Sequence, residues 1–250
     1  MIDVNVHLSR WPFRRLPDDD PAALAARLRR NGVKQAWAGS FDGLLHKDVG
    51  AVNARLVEEC GKHGQGLLVP FGSINPKLPD WQEDLRRCHE SYRMPGIRLH
   101  PNYHGYTLAD PVFAALMQLA AKRRLLVQIA VQMEDDRMQH PLMRVPPVDL
   151  APLGDMPGVR AVLLNALRSA SAPVPARLAA AEGIYFDIAM LDGIGGVERL
   201  AKQVSAKRVL FGSHAPFYIL ESAALKMKES ALAPAEAARI TEANARELLV

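Results

Sequence analysis

Eight short runs rich in β-branched and apolar residues recur along this chain: "IDVNVHL", "VKQAWAGSF", "GLLVPFGSINP", "GIRLHP", "LLVQIAVQM", "VRAVLLNAL", "IYFDIAM" and "RVLFGSHAPF". Amphipathic patterns of helical period separate them, among them "DPAALAARLRRNG", "DVGAVNARLVEECGKHG", "LPDWQEDLRRCHESYR", "DPVFAALMQLAAKRR", "PVPARLAAAEG", "GGVERLAKQVSA" and "YILESAALKMKES". Several of these open on Pro or Asp and close on Gly, residues suited to the first turn and the stop of a helix. Strands that alternate with helices run parallel and are joined by right-handed crossovers, and eight such units predict closure into a (β/α)8 barrel, the α/β TIM-barrel architecture. An open doubly wound sheet is the alternative, but it needs fewer units, and no GxGxxG follows the first run. The stretch "EDDRMQHPLMRVPPVDLAPLGDMPG" breaks the alternation and reads as an extended loop with room for little more than a short helix. A final amphipathic helix is expected in "APAEAARITEANARELLV".

The 250 residues suffice for one large core, so a single domain spanning 1–250 is expected. With 49% hydrophobic and 23% charged residues, the composition is that of a globular protein rather than a disordered or fibrous one. The formal net charge of +4 is spread along amphipathic segments, which argues against nucleic acid as a partner. No run approaches the roughly 20 apolar residues of a membrane span, and the first residues enter a polar-faced strand instead of a signal peptide, so no membrane partner and a cytoplasmic location are expected. Cys60 and Cys88 lie in helical patterns without CxxC spacing and read as reduced, half-buried thiols.

In a barrel of this kind the site lies at the carboxyl ends of the strands. "IDVNVHL" alternates with period two, which puts Ile2, Val4, Val6 and Leu8 on one face and Asp3, Asn5 and His7 on the other. Further polar residues fall at the strand ends: Ser40, Asp42, Asn75, Arg98, His100, His104, Gln128, Gln132, Glu134, Asn165, Asp187 and His214. Asn75 or Asp187 alone would be a satisfied core polar group. The set together points to a pocket, because buried polar groups cost free energy unless hydrogen-bonded and would not gather at one end of the strands by chance. His46, His63, His89 and His140 stand among charged neighbours and are expected at the surface. Trp11, in "RWPFRR" directly after the first strand, is expected over the pocket mouth or packed beneath it.

The blocks "IDVNVHL", "GIRLHPNYHGY", "FGSHAPF" and "ITEANARELL" resemble the amidohydrolase superfamily, specifically its amidohydrolase 2 group, over nearly the whole chain. That resemblance implies a (β/α)8 barrel and a metal-dependent hydrolase or decarboxylase. It further implies an HxH pair on strand one, a histidine on each of strands five and six, and an aspartate on strand eight. Imidazole and carboxylate would hold a divalent ion that lowers the pKa of a bound water. Carried over residue by residue, the pattern breaks: Asn5 stands for the first histidine, Ala130 for the strand-five ligand, Asn165 for the strand-six histidine and His214 for the aspartate. Only His7 is retained, and an amide oxygen is a weak zinc ligand.

Three functions compete. The first is a hydrolase acting on a small, carboxylated or lactone substrate, with His7, His214, His100 and Asp3 as catalytic residues. In it Asn5, Arg98, His104, Asn165, Gln132 and Trp11 bind substrate, Arg98 and His100 hold a carboxylate or oxyanion, and Asp3 orients His7 or pairs with a cation. The second is a metal-dependent hydrolase or decarboxylase with one divalent ion, zinc by choice, in a rearranged site on His7 and His214. The third is a barrel without catalysis that binds a small molecule or a partner. The resemblance also implies a homo-oligomer.

Overall fold

The computed structural model of the chain describes residues 1–135, 137–168 and 174–249. Among these, eight strands form one parallel sheet in chain order: β1 (Ile2–Leu8), β2 (Gln35–Ser40), β3 (Leu68–Ser73), β4 (Gly96–Leu99), β5 (Leu126–Ala130), β6 (Ala161–Leu164), β7 (Ile184–Asp187) and β8 (Val209–Leu210). The ring closes where Val4 N donates to Phe211 O and His7 N to Ala215 O. The barrel expected from the alternation is therefore the fold.

The helices are α1 (Pro21–Arg30), α2 (Asp42–Leu45), α3 (Val49–Glu59), α4 (Trp81–Arg86), α5 (Pro101–His104), α6 (Pro111–Lys122), α7 (Ala151–Gly154), α8 (Ala176–Ala180), α9 (Gly196–Val204), α10 (Leu220–Glu229), α11 (Pro234–Ala238) and α12 (Asn244–Leu248). α1 shows how local chemistry sets the bounds: Asp20 accepts from Ala22 N and Ala23 N, Pro21 takes the first turn, and Arg27, Arg29 and Arg30 face the carboxyl end. The expected final helix is broken by a π-helical turn at Arg239–Ala243, and α2 and α5 are short helices that the sequence pattern did not announce. The start of the "PVPARLAAAEG" helix at Pro173, Asp136 in the long loop, and Val250 lie outside the described residues. No helix among the described residues is long and apolar enough to cross a membrane.

β1 corrects the simple alternation. Its pairing with β2 slips between Asp3 and Val6, a bulge that changes which face the following residues present. Ile2 and Val4 pack with Trp37, Phe71, Leu126, Val162, Leu164 and Leu210 in the barrel's amino-terminal half, whereas Val6 and Leu8 join the layer that includes Leu24, Ala25 and Leu28 of α1. Asn5 and His7 are thereby aimed inward above an apolar floor, and Asp3 is not beside them in the same role.

Candidate active site

Asp3, Asn5, His7, Arg98, His100, Gln128, Asn165, Asp187, Ser213 and His214 are all buried at the carboxyl half of the barrel. Arg98, on β4, stands at the centre. A guanidinium has five N–H groups and no acceptor, and all five are used. Nε donates to Gln128 Oε1 (2.8 Å), Nη1 to Val6 O (2.9 Å) and His7 Nε2 (3.0 Å), and Nη2 to Trp37 O (3.0 Å) and Val4 O (3.4 Å). Gly39 makes room for this strut, since a Cβ there would lie 2.7 Å from Arg98 Nη1. Burial pulls the Arg98 pKa down to about 9, against the upward pull of Asp187 and Asp3. Arg98 thus has no hydrogen left for a substrate carboxylate, which corrects the expectation that it holds one.

The consequence falls on His7. Because the guanidinium only donates, His7 Nε2 must accept, so the ring proton sits on Nδ1. His7 Nδ1 is buried without a partner. Burial first, then the neighbouring charges of Arg98, His214 and His100, holds its pKa well below the ordinary imidazole value. His7 is therefore a neutral N–H donor with nothing yet to donate to.

A chain of amides fixes the second imidazole. Asn5 Nδ2 donates to Asp187 Oδ2 (2.7 Å) and Asn165 Oδ1 (2.8 Å), and Asp187 Oδ1 accepts from Asn165 N (2.8 Å). Asn165 Nδ2 donates to Gln132 O (2.6 Å) and reaches His214 Nδ1 at 3.3 Å. His214 Nε2 faces Met133 O at 2.6 Å; a carbonyl only accepts, so Nε2 carries the hydrogen and Nδ1 takes the amide. Burial lowers the His214 pKa to about 4. Asn165 and His214 both have φ in the left-handed region, at 57° and 58°, a conformation that non-glycine residues adopt only when the surroundings impose it. Gln132 contributes here through its backbone carbonyl, while its side-chain Nε2 donates to Glu134 O.

Asp3 serves the ring closure. Its carboxylate accepts from Ser213 Oγ (2.5 Å), Ser213 N (3.0 Å) and Asn5 N (3.1 Å), so it neither orients His7 nor pairs directly with a cation. Burial raises the pKa of Asp3, and likewise that of Asp187, to about 6. Asp42 lies at the surface with Arg55, and Asn75 caps Lys77 N in a turn; neither belongs to the cluster.

His100 is the imidazole whose nitrogens are both buried and unpartnered. Burial, His104 and Arg98 keep its pKa well below the ordinary value, and it is close enough for its charge to bear on His7. His104 Nε2 donates to Gly43 O (2.9 Å) and its Nδ1 is unpartnered. Ser73 Oγ, Tyr106 OH and Asn5 Oδ1 are further buried polar atoms without partners, so this end of the barrel offers several unsatisfied groups to a polar ligand.

An aromatic cap covers the cluster. Phe41 stacks on His7 (centroids 4.9 Å apart), Phe217 stacks on His214 (5.1 Å), and Trp11 meets Phe41 and Phe217 edge-on. Ala130, where the resemblance places a ligand, is part of this apolar cap with Met133 and Leu44. The loops after β1 and β5 latch over it through Arg14 Nε to Glu134 Oε1 (2.8 Å) and Phe13 stacked on His140 (4.5 Å). Trp11 is therefore a cap residue; Phe41, Phe217 and Met133 were not singled out from the sequence, where only the aromatic "PF" after His214 marks one of them.

A parallel eight-stranded barrel with polar side chains converging at the strands' carboxyl ends defines the class of (β/α)8 enzymes. Within that class, the chain belongs to the Amidohydrolase family (Amidohydro_2), whose model matches residues 2–249. Its fold is similar to that of 5-carboxyvanillate decarboxylase from Sphingomonas paucimobilis (TM-score 0.76, 11% identity, 99% of this chain and 98% of that one). It is also similar to a candidate 2-pyrone-4,6-dicarboxylic acid hydrolase from Pseudomonas putida (TM-score 0.72, 16% identity, 99% and 96%). A third similar fold is a dihydroxybenzoic acid decarboxylase from Polaromonas sp. JS666 with bound manganese and 2-nitroresorcinol (TM-score 0.70, 13% identity, 99% and 96%). No curated protein sequence matches the chain.

The donor set here does not fit the divalent ion that the family implies. No group of three or more His, Cys, Asp or Glu among the described residues is arranged to hold a metal. The His7 and His214 rings are 5.1 Å apart, yet His7 Nε2 is occupied by a cation and His214 Nε2 by a carbonyl. Asn5 turns its NH2 group, not its oxygen, to the amide chain, and Ala130 has no donor atom.

Proposed function

We propose that this chain is a hydrolase that acts on a small, uncharged ester or lactone through neutral imidazoles. The observation that carries the reading is the Arg98 to His7 contact, which leaves a bare, neutral Nδ1–H aimed from the end of β1. In the reaction, His100 takes a proton from water as the water oxygen bonds to the substrate carbonyl carbon. His7 Nδ1–H donates to the oxyanion, and collapse breaks the carbon–oxygen bond while His100 returns its proton to the leaving oxygen. The roles of base and donor fall this way because His7 and His214 have spent their lone pairs, whereas His100 has not. An uncharged substrate fits a cluster whose one arginine among the described residues, Arg98, has every N–H engaged, and it fits the aromatic faces of Phe41, Trp11 and Phe217. The Arg14–Glu134 and Phe13–His140 contacts join the loops that border this site.

A second reading, decarboxylation of an aromatic acid, is favoured by the similarity to the two decarboxylases and by the aromatic cap. One experiment separates them: chelator-treated protein is supplied with a panel of lactones and aryl esters, and in parallel with hydroxybenzoic acids, while acid release and CO2 release are followed. The proposal expects acid release without added metal, reduced about a hundredfold or more in His100→Ala with the fold intact. Acid release only with added manganese or zinc, CO2 release alone, or no turnover anywhere in the panel contradicts it.

A further inference from the structure

A concavity lies at the opposite end of the barrel from the histidine cluster. It is a groove of about 1080 Å³ beneath the amino ends of β4, β5 and β6, between the carboxyl end of α6, the loop before β6 and the end of α12. Its walls are aliphatic and thioether surface, chiefly Met117, Leu125, Met156 and Leu249, material that adapts to varied ligand shapes.

The polar part of the lining is cationic. Arg123, Arg124 and Arg160 supply that charge beside the uncharged Gln118, and no aspartate or glutamate among the described residues lines the groove. Two of the arginines have partial partners: Arg123 Nη1 lies 3.5 Å from Leu119 O, and Arg160 Nη2 donates to Leu248 O. These contacts are to backbone carbonyls, so neither guanidinium has its charge neutralised. Arg123 Nε is buried and has no acceptor, so this guanidinium keeps hydrogen-bonding capacity that the fold does not use. Arg124, the next residue in the chain, also lines the groove and is exposed, with φ at 54° in the turn between α6 and β5. Carboxylate and phosphate oxygens match the planar fork of a guanidinium.

We propose that this groove binds an amphipathic small anion, with an apolar body along the methionine and leucine walls and a carboxylate or phosphate at Arg123 and Arg124. The site is separate from the candidate active site and does not depend on the reaction assigned there. The test uses 2-naphthoate and 2-naphthyl phosphate as probes, with 2-naphthalenemethanol as the uncharged counterpart, titrated calorimetrically into the full chain.

The expected result is saturable one-to-one binding of at least one anion, weaker by about tenfold or more for the alcohol. The same loss is expected in Arg124→Asn, a residue that tolerates the left-handed backbone, and in Arg123→Gln. Binding falls as salt is added and is unchanged in His7→Asn. Thermal melts of each variant establish that the fold is kept. No saturable binding of either anion, equal binding of the alcohol, unchanged affinity in both arginine variants, or loss in His7→Asn instead overturns the proposal.

Discussion

Replacing Arg98 with methionine removes the strut while keeping much of its volume. Gln128 Oε1, Val6 O and Trp37 O lose a charged donor at 2.8–3.0 Å; Val4 O loses only a 3.4 Å contact and keeps Gln128 Nε2 at 2.8 Å. At about 1–1.5 kcal/mol for each of these three carbonyl acceptors, the loss is about 3–4.5 kcal/mol; His7 Nε2, the fourth close acceptor at 3.0 Å, is relieved by a change of tautomer. Release of a buried cation, whose cost is visible in the pKa pulled down to about 9, offsets part of this, for a net destabilisation of about 2–4 kcal/mol. A domain with the usual about 5–15 kcal/mol stays folded, so the variant can be studied. Urea unfolding should show a lower midpoint with an unchanged slope. Nitrogen-15 NMR should show His7 passing from the single Nδ1–H tautomer to a mixture. A stability change under about 0.5 kcal/mol together with an unchanged His7 tautomer would refute the reasoning.

Asn5→Asp sets a carboxylate against Asp187 Oδ2 and Asn165 Oδ1, contacts now made by an NH2 group at 2.7 and 2.8 Å; a loss of about 3 kcal/mol lowers the melting temperature by about 6–12 °C, and a melt within about 2 °C of the parent contradicts the amide chain. Gly39→Ala pushes a methyl into the pinned Arg98 guanidinium and costs about 1–3 kcal/mol, whereas Gly61→Ala, with open space at its Cβ, is neutral by the same denaturation assay. The protein loses stability as pH falls from about 6.5 to 4. His7, His100, His104 and His214 have folded pKa values depressed below the ordinary value, so their contribution is complete above it and disappears on protonation. Asp3 and Asp187, raised to about 6, work the other way and gain as pH falls, but two carboxylates offset only part of four imidazoles. Chemical denaturation at pH 7 and pH 4.5 checks the sign.

Much of this architecture was legible in local chemistry. The eight strands, the Asp20 and Pro21 start of α1, and the gathering of Asn5, His7, His100, Asn165 and His214 at one end follow from periodicity, capping and the geometry of closed parallel barrels. The bulge in β1 was not legible, because a register slip depends on pairing with β2 rather than on the sequence of β1 itself; Asp3 therefore serves Ser213 instead of His7. Arg98 read as a substrate ligand because its five acceptors come from β1, β2 and β5, distant in sequence. For the same reason the tautomers of His7 and His214 were beyond reach of the sequence, since each is set by a partner on another strand or loop.

His7 and His214 are a pair of neutral imidazoles whose lone pairs are already taken by Arg98 and Asn165. The measurement that tests this assignment most directly is nitrogen-15 NMR of the histidine side chains at pH 7 during a titration with zinc. The assignment predicts a protonated His7 Nδ1, an accepting Nε2, and no change in the His7 or His214 nitrogens at one equivalent of metal. Saturation at one equivalent, with both rings moving to metal-bound shifts, would contradict it.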